Sequence, residues 1–383
     1  MHVCFVNMPI EFFSPISGGA IATVIRHTAA EFVKRGHRVS VLTTVDKNPT
    51  YAVGTVIEIE YKESAKLPPL LRLLSRIRGK LNSWDWPCFD YFLSSVMRGI
   101  CSLETMPDVV IVFNDLASPE YLKRILPDAK VVVWLHNECR TRHDIYRTID
   151  STDLFVANSG YIREWSIATH RIPKDRFVVA LNGVDLKAFF PRDAYLSENL
   201  PVKVLFIGRI DPNKGPDIVA DAVATLRGEG LQVSLTIAGG LWFYGSSDPM
   251  SNPYFRTLKA KMHAAGADYL GHVDRHNVPQ VVRAHDVVCV LSRTQEPFGL
   301  VVLEAMASGC VVIASRRGGL PEACGEAGIL VNECDFQTVC DELRRLVREQ
   351  TKLNESKEES LARARRQSWS ECASVLETAI RNL

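Results

Sequence analysis

The stretch VVCVLSRTQEPFGLVVLEAMASGCVVIA, residues 287–314, is the one on which the fold turns. Residues 287–291 form a short, β-branched apolar run, the composition of a buried strand. Residues 292–298 read as a loop around Glu296-Pro297. Helical spacing begins near Gly299 and stops at Gly309, a natural helix end. Residues 311–314 return to the strand pattern. The helix start at Phe298, Gly299 and Leu300 presents N–H groups and the positive end of the helix dipole, an arrangement suited to phosphate or sugar hydroxyls. Gly299 lets a ligand come close to the backbone. Glu296 lies just before the helix and Glu304 about a turn and a half into it. Two carboxylates so spaced can take two polyol portions of one extended ligand. Equally, Glu304 can be a surface residue on a core helix, and spacing alone leaves both readings open.

The same alternation extends in both directions. The chain opens with a strand at His2–Val6, a loop ending in Ser17-Gly18-Gly19-Ala20, a helix to Arg35 stopped by Gly36, and a strand at 39–43. Short apolar runs recur at Val109–Phe113, Lys130–Leu135, Leu154–Ala157 and 177–180, with helical stretches between them. A new series follows a polar stretch ending at Pro201. It comprises a strand at Val202–Ile207, a loop through Gly208-Arg209 and 211–216, a helix at 217–228, strands at 232–238 and 287–291, and a strand at 311–314. Strand–helix alternation of this kind builds parallel, doubly wound sheets. The expected class is α/β, with two Rossmann-like domains at 1–190 and 191–366, the boundary falling near 186–200. The carboxyl ends of both sheets are expected to face a central cleft. Residues 351–366 read as a charged helix with a solvated face. A C-terminal helix at about 367–383 is expected to pack back on the first domain.

Composition narrows the class. With 383 residues the chain is long enough for two domains, each with its own core. A net charge of +1 lacks the basic excess of a nucleic-acid binder. No apolar run approaches the ~18–20 residues of a membrane span. The start, MHVCFVNMP, lacks the pattern of a signal peptide, so a cytoplasmic protein is expected. Ten cysteines are scattered with no CxxC pair, which argues against a disulfide framework or a structural zinc.

Several motifs together carry a family resemblance. Glu296 and Glu304 are separated by seven residues, and Pro297-Phe298-Gly299-Leu300 and Ala305-Met306-Ala307-Ser308-Gly309 flank them. This resembles the E-x7-E motif of the retaining glycosyltransferases of family 4, which have the GT-B fold. Gly318-Gly319-Leu320-Pro321-Glu322 resembles the block that follows it in the family. Phe206-Ile207-Gly208-Arg209 with Lys214-Gly215 resembles the diphosphate-binding pair. Asn182-Gly183-Val184-Asp185 resembles the interdomain block, and Ser17-Gly18-Gly19-Ala20 the N-terminal glycine loop. The blocks run in the family's order from residue 17 to 322.

The resemblance implies an N-terminal acceptor-binding domain, a C-terminal donor-binding domain, and transfer of a sugar from a UDP- or GDP-sugar to a hydroxyl acceptor. Arg209 and Lys214 are implied to grip the diphosphate, where negative charge grows as the anomeric carbon–oxygen bond breaks. Arginine suits bidentate contact, and lysine acts as a point charge. Gly18 and Gly19 are implied to admit the same phosphates. Glu304 is implied to hold the ribose hydroxyls. Glu296, with the N–H groups of Phe298, Gly299 and Leu300, is implied to hold the donor sugar. His136, at the carboxyl end of a strand, is implied to lie near the transferred sugar or the acceptor. The catalytic candidates are therefore Glu296, His136, Lys214 and Arg209.

No metal or other cofactor is expected beyond the nucleotide-sugar co-substrate, with a UDP-sugar favoured. No DxD-type pair matched to this fold is present, and no carboxylate pair with glycosidase spacing. His143-Asp144 superficially resembles an acid–base pair, and Gly271-His272-Val273 lies where the family's base-binding loop falls. The stretch from Leu67 to Leu81 aligns Leu70, Leu73, Leu74, Ile77 and Leu81 on one face, with Arg72, Arg76, Arg78 and Lys80 elsewhere. It reads either as a core helix with a basic side or as a peripheral contact with an anionic membrane, at the inner face. The alternatives in function are another GT-B enzyme, such as a phosphorylase or a nucleotide-sugar epimerase, and a non-catalytic nucleotide-sugar binding module. A nicotinamide dehydrogenase is disfavoured because no GxGxxG follows either opening strand.

Overall fold

A computed structural model describes residues 1–16, 19–61, 70, 73–74, 89–141, 143–193, 201–241, 249–332 and 334–383. The chain divides into two units, Met1–Asn182 with Trp369–Leu383, and Gly183–Ser368.

The first unit is built on a parallel sheet of seven strands in the order β3-β2-β1-β4-β5-β6-β7. They are β1 (His2–Val6), β2 (Arg38–Thr44), β3 (Thr55–Ile59), β4 (Val109–Phe113), β5 (Lys130–Leu135), β6 (Leu154–Ala157) and β7 (Phe177–Val179). The central strands β1 and β4 are buried along their whole length, as a sheet covered on both faces requires. Helices α1 (Ala20–Lys34), α2 (Phe89–Cys101), α3 (Ser118–Ile125), α4 (Ile145–Asp150) and α5 (Gly160–His170) connect the strands. Phe5 packs edge-on to Phe32 of α1 and stacks on Phe113 of β4.

The second unit has six parallel strands in the order β10-β9-β8-β11-β12-β13. These are β8 (Val202–Ile207), β9 (Val233–Ala238), β10 (Asp268–Gly271), β11 (Val287–Val290), β12 (Val311–Ser315) and β13 (Ile329–Val331). Its helices are α6 (Pro216–Gly228), α7 (Pro253–Ala265), α8 (Val278–Arg283), α9 (Leu300–Ala307), α10 (Leu320–Cys324), α11 (Phe336–Arg348) and α12 (Gln350–Arg365). The last helix, α13 (Trp369–Arg381), belongs to the first unit and packs on α1. There the Trp369 ring stacks on His27 at 5.1 Å, and Glu377 bonds both Arg35 and His37.

Two features depart from the sequence reading. Strands β3, β10 and β13 were not expected, and all three lie at sheet edges. Thr55 and Glu58 of β3 and most of β10 are solvent-exposed, so these two lack the apolar run that marks a central strand, and β13, though apolar, has only three residues. Helix α12 is not simply a solvated charged face. Leu353, Ser356, Lys357, Ser360, Leu361 and Ala364 are buried, and the helix packs against α9. Lys357 is only 2% exposed because its ammonium bonds Asp286 at 2.7 Å. A buried charge of this kind needs a partner. That partner comes from the segment before β11, far away in sequence. The nine described cysteines are free, and no described helix is long and apolar enough to cross a membrane.

Candidate functional site

In the second unit the chain winds outward from β8 through β9 to β10, then returns to add β11, β12 and β13 on the other side of β8. The winding therefore reverses between the neighbours β8 and β11. Loops leaving the carboxyl ends of two such strands part to opposite faces and leave a crevice between them.

Gly208-Arg209 follows β8, with Arg209 exposed at its carboxyl end. The next loop carries Lys214. Asp211 starts it by accepting a 2.8 Å hydrogen bond from the Asn213 N–H on its own carboxylate. Gly215 ends it at φ +69°, and a Cβ there would run into the Leu291 carbonyl oxygen. A side chain at 215 is thus opposed by both backbone conformation and space. From the far side of the crevice, the segment after β11 brings Ser292 and Glu296. The Ser292 hydroxyl and the Lys214 ammonium both donate to Glu296 Oε1. Oxygen Oε2 of the same carboxylate accepts no hydrogen bond from any described residue.

The loop after β12 holds Glu296 from behind. The Gly319 N–H donates to the Glu296 carbonyl at 2.7 Å, and the Gly318 N–H to the Gln295 side chain. The Glu296 peptide is therefore set by one loop and its side chain by two others. Gly299 is the N-cap of α9 at φ +92°. A Cβ there would come within 2.6 Å of Leu320 Cδ2. The backbone itself thus demands this glycine, independently of any approaching ligand. It leaves the Phe298, Gly299 and Leu300 N–H groups at the open start of the helix, while the Phe298 ring is buried in the core.

Glu304 has a different partner. It is 5% exposed. Arg275, in the turn after β10, faces both its oxygens, with Nη1 donating to Oε2 at 3.2 Å and Nη2 to Oε1. Neither Arg275 nor Ser292 was singled out in the sequence. Ser292 is four residues before Glu296 and could have been. Arg275 lies two residues beyond the Gly271-His272-Val273 loop, but only folding brings it onto α9. Of the sequence-predicted residues in this unit, the structure joins Lys214 to Glu296 and joins Glu304 to Arg275.

Of the candidates in the first unit, the glycine loop follows β1, at the switch point between β1 and β4, whereas His136 follows β5, the neighbour of β4. Ser17 and Gly18 lie outside the described residues. Gly19 is the N-cap of α1. The Glu11 carboxylate is folded over this helix start, accepting from the Ala22 N–H at 2.7 Å. Burial raises the Glu11 pKa, while hydrogen bonds from the Ala22, Ile21 and Gly19 N–H groups oppose that rise. His136 follows β5, and its backbone N–H donates to Asn114 Oδ1 at 2.7 Å. Asn114 itself sits at φ +50°, a left-handed conformation that asparagine tolerates better than most residues. The His136 ring packs against Trp134 and Phe113, with Nδ1 3.4 Å from the Asn158 amide. Its Nε2 has no hydrogen-bond partner among the described residues. Burial pushes its pKa down to about 3, so the ring is neutral near pH 7.

His143 and Asp144 do not act as a pair. Asp144 caps α4 through the Tyr146 N–H at 3.1 Å, whereas His143 faces Glu120 at 3.3 Å. The stretch from Leu67 to Leu81 lies outside the described residues except for Leu70, Leu73 and Leu74, which are exposed.

The chain is similar to known proteins. Residues 192–367 match the family described as glycosyl transferases group 1, and residues 18–188 match glycosyltransferase family 4. The chain is 28% identical over 230 residues to a putative glycosyltransferase, YtcC, of Bacillus subtilis, covering 55% of this chain and 56% of that protein. It is 36% identical over 211 residues to a D-inositol 3-phosphate glycosyltransferase of Mycobacterium leprae, covering 52% and 48%. The chain thus spans about half the length of these curated relatives. A crystal structure of HepE from Anabaena in complex with UDP superposes with a TM-score of 0.70, at 18% identity and 100% coverage of both chains. At that identity the likeness is one of fold, and the fold is GT-B.

Proposed function

We propose that this chain, which belongs to the group 1 glycosyl transferases, moves a sugar from a nucleoside-diphosphate donor, with UDP-sugars favoured, to an acceptor hydroxyl with retention at the anomeric carbon. The observation that carries the proposal is the meeting of Lys214 and Glu296 at the β8–β11 switch point, beside the open start of α9. A cation, a carboxylate with one free oxygen, and a row of N–H groups suit a diphosphate joined to a polyol. That HepE binds UDP supports the choice of nucleotide.

In this reading Arg209 and Lys214 hold the diphosphate, Glu296 Oε2 takes a hydroxyl of the sugar, and Glu304 with Arg275 lies at the ribose. The bond between the anomeric carbon and the phosphate oxygen breaks, and the acceptor oxygen bonds to the same face. The acceptor's proton passes to the departing phosphate oxygen, and the nucleoside diphosphate leaves. Charge on that leaving group is stabilised by the two cations and the amides, without a metal. His136, neutral, offers Nε2 to a sugar or acceptor hydroxyl. Gly18 and Gly19 are assigned to the donor phosphates in the same proposal, which requires the Glu11 carboxylate to leave the start of α1. The domain assignment, acceptor site at 1–190 and donor site at 191–366, belongs to the same proposal.

Purified protein incubated with UDP-, GDP- and ADP-sugars should be stabilised by one class, since a ligand raises stability with its affinity. Product analysis should show the donor's anomeric configuration retained. Lys214→Ala or Glu296→Ala should reduce turnover by roughly two to three orders of magnitude while the protein stays folded. Full activity in both variants would remove the assignment.

The proposal includes a peripheral contact. Leu70, Leu73 and Leu74 are exposed in a stretch rich in arginine. Exposed leucines among arginines in the sequence suit an anionic membrane. Co-sedimentation with phosphatidylglycerol vesicles, but not with phosphatidylcholine vesicles, is the expected result.

A further inference from the structure

We infer that Arg293 positions Lys214 for the donor diphosphate, an inference that rests on the donor site proposed above. Arg293 follows Ser292 after β11 and reaches across the switch point to the loop after β8. Its backbone N–H donates to the Asn213 carbonyl at 2.8 Å. Its guanidinium donates to the Pro212 carbonyl and to both oxygens of Asp217, at 3.0 and 2.7 Å. Asp217, in the first turn of α6, also accepts from the Tyr254 hydroxyl at 2.8 Å.

Lys214 is bracketed by these bonds. The carbonyls of the two residues before it and the carboxylate of the third residue after it are all held by Arg293. The ammonium of Lys214 in turn meets Glu296, three residues beyond Arg293. The short segment 291–296 thus fixes the loop's backbone at Arg293 and its charge at Glu296. Lysine is a point charge on a flexible stem, so it reaches a phosphate reproducibly only if its backbone is held.

Magnitudes separate this role from a merely structural one. The Arg293 side chain is 37% exposed and Asp217 17%. Because the guanidinium is partly open to water, even this bidentate pair contributes only about 1 kcal/mol to folding stability. Misplacing a reacting or charge-stabilising group by about 1 Å, in contrast, costs on the order of a hundredfold in rate. Arg293 should therefore matter far more for the donor than for the fold.

The test uses the full chain, with UDP as the ligand in calorimetric titration. Arg293→Ala should weaken UDP about tenfold, as loss of a well-placed charge-assisted contact does. Its melting midpoint should stay within about 2 °C of the parent, matching the small stability term. Arg293→Lys cannot hold carbonyl and carboxylate in one fork and should recover only part of the affinity. The double-mutant cycle carries the decision. In a Lys214→Ala background, adding Arg293→Ala should change UDP affinity by less than about twofold, because the two act as a unit. Parent-like UDP binding by Arg293→Ala overturns the inference, as does an equal loss in the Lys214→Ala background. If Lys214→Ala weakens UDP while Arg293→Ala does not, only the role of Arg293 fails. If the unmodified chain binds neither UDP, GDP nor ADP, the donor reading fails and this inference with it.

Discussion

Arg275 and Glu304 face each other as a fork, one guanidinium nitrogen on each carboxylate oxygen. The carboxylate is buried and the arginine is 30% exposed, so the pair stands between surface and interior. Arg275→Ala leaves a nearly buried carboxylate without its counter-ion and should destabilise the fold by roughly 1–3 kcal/mol. Glu304→Gln added to it should recover part of that loss, because no lone charge remains. Urea denaturation of the four variants in the cycle measures both effects.

Glu296 offers a sharper separation of binding from transfer. Its Oε1 is the internal counter-ion of Lys214. In Glu296→Gln the lysine no longer shares its charge with a carboxylate. UDP should bind as tightly as in the parent or more tightly. Turnover should nevertheless fall about a hundredfold or more, because the sugar loses a charged acceptor that the nucleotide never used. Titration with UDP and steady-state kinetics on the same preparation will show whether affinity and rate move apart.

Asp286 links pH to stability. Burial alone raises its pKa, but hydrogen bonding and charge from Lys357, the Lys203 N–H and the charge of Arg192 outweigh that and hold it below its ordinary range. A carboxyl with a depressed folded pKa contributes stability that is present above its unfolded value of about 4 and is lost as pH falls through the folded value. Lys357→Met should flatten this acid-side loss. It should also cost roughly 1–3 kcal/mol at pH 7, since a largely buried carboxylate is left with Arg192 as its one remaining counter-ion among the described residues. Thermal melts between pH 3 and 7 check both the size and the sign.

His136 has a pH signature that a freely exposed histidine lacks. Its pKa is pushed down to about 3 by burial. Between that value and its unfolded pKa near 6.5, the unfolded chain binds a proton that the folded one refuses, so stability falls as pH drops through this window. The His136 ring resonances should not titrate between pH 5 and 8. His136→Gln should remove its share of the acid-side loss while lowering transfer. Ring resonances that move through a midpoint near 6.5 would contradict the buried, neutral assignment.

Much of the architecture was legible in the chain itself. Strands His2–Val6, Val109–Phe113, Lys130–Leu135, Leu154–Ala157 and Val202–Ile207 fall where their apolar runs place them. A central strand in a covered parallel sheet must be apolar on both faces, and that leaves a continuous run to read. Edge strands such as Thr55–Ile59 need no such run. The glycines at 215 and 299 were visible as loop and helix-start signals, but their positive φ angles were not.

The sequence by itself determined the two strand–helix series and the α9 helix start through local spacing, and it pointed to Lys214, Glu296 and Glu304 through the resemblance of their motifs to the family. Only the tertiary structure decided who meets whom. Lys214 and Glu296 are 82 residues apart and touch because β8 and β11 are neighbours where the winding reverses. Arg293 finds the Lys214 loop for the same reason, while Arg275 finds Glu304 and Lys357 finds Asp286 through the packing of helices on the sheet. Buried or half-buried charges demand partners, and local sequence carries the demand, but the partners are supplied by strand order and helix packing, which no local pattern contains.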